Sequence, residues 1–274
     1  IDLPHDLTTA DYGGGLDADL DQTQDNRLGI AHASKMATEY LLSDEAFLLS
    51  GKINGAATAK GQAHNKNFAK HLTAMGEPYE SFDAQQMREI TGSSYYQEGL
   101  FTPGTAMIQP AMYIRGVAEG LGQDGVTIYE DSPVTTLNNN GSWVVKTPHG
   151  QVSSPRVILA VNGHLNSFGY AKSRLMHVFT YASMTRALTP QEIGKLGGNP
   201  IWGLTPADPV GTTVRRISGT GGDRLIIRNR FTFDPTLEVN PKRIAKIGHD
   251  HDASFLHRFP DLSNVTMEYR WGGR

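Results

Sequence analysis

Hydrophobic positions along this chain follow two rhythms, and each predicts its own elements. Ile30, Ala33, Ala37 and Leu41 recur at helical spacing over 27–42. Phe68, Leu72 and Met75 do so over 62–75, where Gly76 supplies the stop. Asp83 with Gln86 has the spacing of a capping box and starts a short helix ending near Gly92. Pro110 stands at a first helical position, where its missing N–H costs nothing, and Ile114, Val117, Ala118 and Leu121 share one face behind it. Pro190–Leu196 is a further short helix. Asn240-Pro241 caps a last one running to Phe259, with Ile244, Ile247, His251, Phe255 and Phe259 inward.

The second rhythm is that of strands. Residues 47–59 alternate as a strand or a short hairpin around Asn54-Gly55. Val126–Glu130 is β-rich, and Trp143–Lys146 with Gln151-Val152 flank a turn at Pro148-His149-Gly150. Arg156–Val161 is almost wholly apolar, as a parallel strand buried on both faces requires, and it ends in Asn162-Gly163. Residues 174–188 form a long, aromatic β-rich run, 212–217 pair with 224–233 across the glycines of 219–222, and 265–271 form a last strand. The predicted class is therefore mixed. A partial parallel α/β sheet with a β-hairpin insertion is joined to an antiparallel α+β sheet with helices on one face. Residues 1–26, polar and rich in glycine and aspartate, read as an extended or partly disordered arm.

Composition narrows the function. The chain is 38% hydrophobic and 19% charged with a net charge of −3, which gives no electrostatic case for nucleic acid or an anionic membrane. No apolar run approaches the roughly 18 residues of a membrane span, no signal-peptide pattern opens the chain, and a cytoplasmic location is the expectation. The absence of cysteine excludes disulfides, thiolate catalysis, cysteine-ligated zinc and Fe–S sites and a cysteinyl-flavin link within these residues. His249-Asp250-His251-Asp252 has the composition of a metal site. Residues two apart on a helix point to different faces, however, so no metal is expected there, nor at His5 with Asp2 and Asp6. No Ser-His-Asp set or acid–base carboxylate pair stands out.

The ordered set Pro110–Ala118, Gly125–Glu130, Val134 and Arg156–Gly163, with Tyr96–Gly104 upstream and Tyr269–Gly273 at the end, resembles the D-amino-acid oxidase (DAO) family of FAD-dependent amine and amino-acid oxidoreductases. The resemblance runs from about Asp44 to the end. Two hallmarks of that family are missing. No apolar strand leads into a G-x-G-x-x-G turn, since Gly13-Gly14-Gly15 follows no such strand and precedes Asp17, Asp19 and Asp21, so it reads as a surface loop. The sequence also stops at Trp271-Gly272-Gly273-Arg274, short of the family's C-terminal flavin segment. The chain accordingly reads as an internal fragment of a longer protein that carries no stoichiometric FAD by itself.

The resemblance implies an enzyme that oxidises a C–N bond of a small amine or amino acid by hydride transfer to flavin. A non-catalytic, flavin-free binding domain and a flavin-dependent hydroxy-acid dehydrogenase are the alternatives. It implies cofactor contacts at Val134, Ala160, Asn162, Gly163, Trp271 and Gly272, and a substrate contact at Tyr181. Strand alternation puts Arg228 and Arg230 on one face, and if that face looks at the flavin, Arg228 can clamp a substrate carboxylate. The expected organisation is an arm and helix over 1–43, substrate-domain parts over 44–108 and 174–262, a partial FAD-binding domain over 109–173, and a return strand over 263–274.

Overall fold

The computed structural model describes residues 15–208 and 211–273. Gly13, Gly14 and the His5 group therefore lie outside the described residues. The mixed α/β class expected from the sequence is the one found. An eight-stranded sheet dominates, in the order β13-β9-β12-β11-β10-β2-β4-β3, with a two-stranded sheet β1-β5 and a three-stranded sheet β6-β7-β8 beside it. The strands are β1 Phe47–Leu49, β2 Lys52–Ala56, β3 Glu80–Asp83, β4 Glu98–Thr102, β5 Ala106–Ile108, β6 Thr136–Asn139, β7 Trp143–Thr147, β8 Gly150–Ser154, β9 Val178–Thr185, β10 Trp202–Pro206, β11 Thr213–Ile217, β12 Arg224–Phe233 and β13 Met267–Gly273. All pairings in the large sheet are antiparallel except β2 with β10.

Among the described residues the α-helices are α1 Gly15–Glu39, α2 Ala59–Met75, α3 Ala84–Thr91, α4 Pro110–Gln123, α5 Pro190–Leu196 and α6 Pro241–Arg258. Their ends follow the expected local chemistry. Asp83 and Gln86 close a capping box, Thr189 and Glu192 close another, and Gly76 and Gly92 take left-handed conformations at helix exits. Met87 of α3, Leu196 of α5 and Phe255 of α6 bury against Ile53, Leu204, Val214, Leu225 and Ile227, so one face of the large sheet carries the main core.

Four expectations are corrected. Residues 15–26 are not an arm but the first turns of α1, held where Asp19 meets His71 of α2 at 3.2 Å. Residues 47–59 are not a hairpin: β1 and β2 belong to different sheets, and Asn54-Gly55 sits mid-strand, where a Cβ on Gly55 would strike Leu204. Helix α4 packs not through Ile114, which is exposed, but through Tyr113, whose hydroxyl donates to the Ala33 carbonyl of α1, and through Gly116 and Gly120, which admit Leu42 and Tyr40 just after α1. Finally, 126–130 and 156–161 form no ladder. A strand exists only through its neighbours' hydrogen bonds, and neither run pairs with a strand among the described residues. Ile158, expected inside, is 91% exposed.

Candidate functional site

The large sheet has a second face, and it is open. Side chains alternate across strands, so β9 sends Tyr181 and Ser183 to the core and Thr180, Ala182 and Met184 to the other side. The register then adds neighbours. Arg228 lies opposite Ala182 and Thr213, Ile226 opposite Met184 and Arg215, and Trp271 opposite Ala182 on the far flank. Leu48, Met107 and Ile108 of the β1-β5 sheet form the facing wall, with Gln109 and Pro110 at the start of α4. Together they enclose a cleft of about 600 Å³.

Its lining is apolar and aromatic, with three arginines. Their availability differs. The Arg224 guanidinium donates to Glu268, to the Thr185 carbonyl and to the Gly221 carbonyl, and it lies 5.6 Å from the centre of the Tyr269 ring. That hydrogen bond holds the Glu268 carboxyl below its ordinary range. Arg215 sits opposite Gly203 and Ile226. Arg228 donates only a long hydrogen bond, 3.4 Å, to Thr213 Oγ1, and among the described residues it meets no carboxylate. Of the two acids in the lining, Glu45 is engaged by the backbone N–H and hydroxyl of Thr220 at 3.0–3.1 Å, while Asp44 lies beside it in the chain.

The arginines of β11 and β12 thus split three ways. Arg216 turns to the core and forms a two-pronged pair with Asp223 at 2.9 and 3.1 Å. Arg230 was expected to share a face with Arg228 but does not. A β-bulge between Asn229 and Phe231 leaves Arg230 as the extra residue at φ 66°, and its guanidinium meets Asp250 of α6 at 2.9 Å. After the bulge, Phe231 and Phe233 resume the phase of Arg228.

Tyr181 does not reach the cleft. It is buried among Phe179, Ile247 and Val239 and shares a 2.6 Å hydrogen bond with Thr232, one face away from the cleft. Gly272 goes with it: a Cβ there would press the Tyr181 ring at 3.0 Å. Trp271, in contrast, lines the cleft. Val134, Ala160 and Asn162 are exposed, and Gly163 is buried where a 3-10 turn, Asn162–Phe168, begins; none of the four lines the cleft. The sequence reading missed Thr180, Ala182, Met184 and Thr213. The same alternation that was applied to 224–233 would have found the first three.

The histidine–aspartate run on α6 disperses as its spacing predicts. His251 is buried against Ser183 at 2.7 Å, Asp250 pairs with Arg230, and Asp252 forms a two-pronged pair with Arg270 at 2.6 and 2.9 Å. No group of three potential metal ligands occurs among the described residues, and no described helix is long and apolar enough to cross a membrane.

The donor set of the cleft suits a flat, largely apolar ring with a polar edge, next to a small anion. Trp271, Met184 and Ile226 offer the flat surface and Arg228 the charge. A cradle for a pyrophosphate is a different matter. Among the described residues, no strand leads through a glycine-rich turn into a helix with free N–H groups.

Residues 8–274 match the family model described as FAD dependent oxidoreductase, DAO. The chain is 26% identical over 217 residues to a probable oxidoreductase OrdL of Rhizobium meliloti, covering 76% of this chain and 47% of that protein. It is 24% identical over 198 residues to the gamma-glutamylputrescine oxidoreductase of Escherichia coli, covering 71% and 44%. The chain spans about half the length of these curated relatives. Among solved structures, glycine oxidase from Geobacillus kaustophilus superimposes with a TM-score of 0.69 at 17% identity over 92% of this chain and 65% of that one, a likeness of fold.

Proposed function

Because the chain belongs to the DAO family of FAD-dependent oxidoreductases, we propose that its cleft is the substrate side of an enzyme oxidising the C–N bond of a small amine or amino acid that carries an anionic group. The observation that carries this reading is Arg228: a guanidinium in an apolar cleft with no carboxylate partner among the described residues. An unmatched cation beside apolar walls selects an anion of the right reach, and a guanidinium does so with two parallel hydrogen bonds. The relatives named for glycine and for gamma-glutamylputrescine support a substrate that bears a C–N bond.

Bound FAD would supply the hydride acceptor, the step that no side chain can perform. The chain's own residues do the rest. Arg228 fixes the anionic end of the substrate, with Thr213 Oγ1 steadying the guanidinium. Met184, Ile226 and Trp271 exclude water and would face the flavin ring. A poorly solvated cleft disfavours the ammonium form, so the substrate amine sheds its proton more readily there. No general base is required of the lining. On this reading the exposed Val134, Ala160 and Asn162, with Gly163, face the nucleotide end of FAD.

The test is kcat/KM of the full-length enzyme, once a flavin absorbance spectrum has established its cofactor content. Arg228→Ala is compared with the unsubstituted enzyme on a panel of amino acids and plain amines. A loss equivalent to about 2–5 kcal/mol is expected for carboxylate-bearing substrates, with little change for plain amines. Equal losses in both classes would remove Arg228 from substrate recognition.

A further inference from the structure

A second cavity, of about 400 Å³, lies between the amino end of α2 and the last turns of α6. Arg258 lines it and is 8% exposed. Its Nη1 donates to the carbonyl and hydroxyl of Ser254 at 3.0 and 2.7 Å, its Nε to Tyr96 Oη at 3.3 Å and its Nη2 to Tyr95 Oη at 3.4 Å, with the Tyr95 ring 4.3 Å beneath the guanidinium. Every one of these partners is neutral. Burial pushes the Tyr96 phenol up to about 12, so it stays protonated and supplies no negative charge.

The contrast with the other deeply buried arginine is direct. Arg216, 2% exposed, has the Asp223 carboxylate, whereas Arg258 has none among the described residues. A buried charge without a counter-charge is costly, and a cavity at its side gives a counter-ion somewhere to stand. The remaining polar lining suits one. Thr212 Oγ1 and Ser254 Oγ meet at 3.1 Å, His257 stands at the rim against Tyr95, and the amino end of α2 carries partial positive charge. The one carboxylate in the lining, Asp208, is matched by Lys60 at 2.9 Å and accepts from the Thr58 hydroxyl.

We propose that this cavity binds a small oxyanion, a carboxylate or phosphate group, held by Arg258 with the hydroxyls of Ser254 and Thr212 and the ring of His257. The site is separate from the cleft. Thr212 faces α6 while the next residue, Thr213, faces Arg228.

The test is calorimetric titration of the full chain carrying Arg228→Ala, which silences the cleft arginine. Inorganic phosphate and, separately, acetate are titrated against chloride at matched ionic strength. Saturable one-to-one binding of either anion is expected, and the tighter one identifies the ligand class. Adding Ser254→Ala with Thr212→Val should weaken it at least tenfold, and Arg258→Met should abolish it. Where Arg258→Met does not fold, the Ser254/Thr212 pair decides. No saturable heat with either anion, or binding unchanged in that pair, overturns the proposal.

Discussion

The two faces of the eight-stranded sheet are made by alternate residues of the same strands, yet they solve opposite problems. On the core face the Arg216 guanidinium is matched by the Asp223 carboxylate, and the His251 ring meets the Ser183 hydroxyl. On the cleft face, one residue away in sequence, Arg228 is left to a long hydrogen bond with a threonine. The difference separates stability from function. The Arg216 charge is matched inside the chain, and the Arg228 charge, on the proposed reading, is left for a substrate anion. Substitutions should therefore divide sharply by face, even between neighbouring residues.

The largest effect is expected at the Arg216–Asp223 pair. Asp223→Ala strands a buried guanidinium and should cost about 3–5 kcal/mol in urea unfolding. Replacing both partners by apolar residues of similar volume, Arg216→Met with Asp223→Leu, should recover most of that loss, because no unmatched charge remains. Arg228→Ala, on the neighbouring strand of the same ladder, should change stability by no more than about 0.5 kcal/mol. If Asp223→Ala proved as mild as Arg228→Ala, the contrast between the faces would collapse.

A second effect tests how tightly the core face is packed. Gly272 leaves room for the Tyr181 ring, which Thr232 pins in place. Gly272→Ala puts a methyl 3.0–3.2 Å from carbons of Tyr181 and Val239, inside ordinary van der Waals contact, and should cost about 1–3 kcal/mol. Gly273, one residue on and with open space around it, should accept alanine with little change.

What the sequence disclosed follows the same division. Helices with their own caps, such as those after Asp83 and Asn240, and the hairpin of β11 and β12 were legible because their signals are local. That Tyr181 turns to the core could not be read locally, because the phase of a strand is set by its neighbours, not by its own composition. The Arg230 bulge was hidden because it carries no glycine to announce the left-handed backbone. Residues 126–130 and 156–161 have the composition of strands, but a ladder also needs a partner, and composition says nothing about whether one is there.

The pH response should come from the core face. Burial lowers the pKa of His251, so the folded state favours its neutral form while the unfolded chain titrates near 6.5. The sign follows. Stability is fully present above about 6.5 and falls as pH drops from there towards the lower native value, because the unfolded chain takes up the proton first. Urea midpoints at pH 7.5 and 5.5 should differ more for the unsubstituted protein than for His251→Gln. A difference that survives the substitution unchanged would assign the response elsewhere.

The smallest effect is expected at Arg230, where the strand changes phase. Its φ of 66° costs a side chain with a Cβ about 1–2 kcal/mol. The pair with Asp250 is solvent-exposed and returns only about 0.2–1 kcal/mol. Glycine would relieve the backbone strain, lose the ion pair and gain unfolded-chain entropy worth about 0.4–1 kcal/mol. These terms nearly cancel, so Arg230→Gly should leave the unfolding free energy within about 0.5 kcal/mol of its starting value. Arg230→Val loses the same ion pair and adds β-branching where the backbone tolerates it least, so it should be the worse of the two by more than 1 kcal/mol. Were valine to match glycine in urea unfolding, the strand would not be bulged there. Arg230 would then return to the cleft face beside Arg228, as simple alternation had placed it.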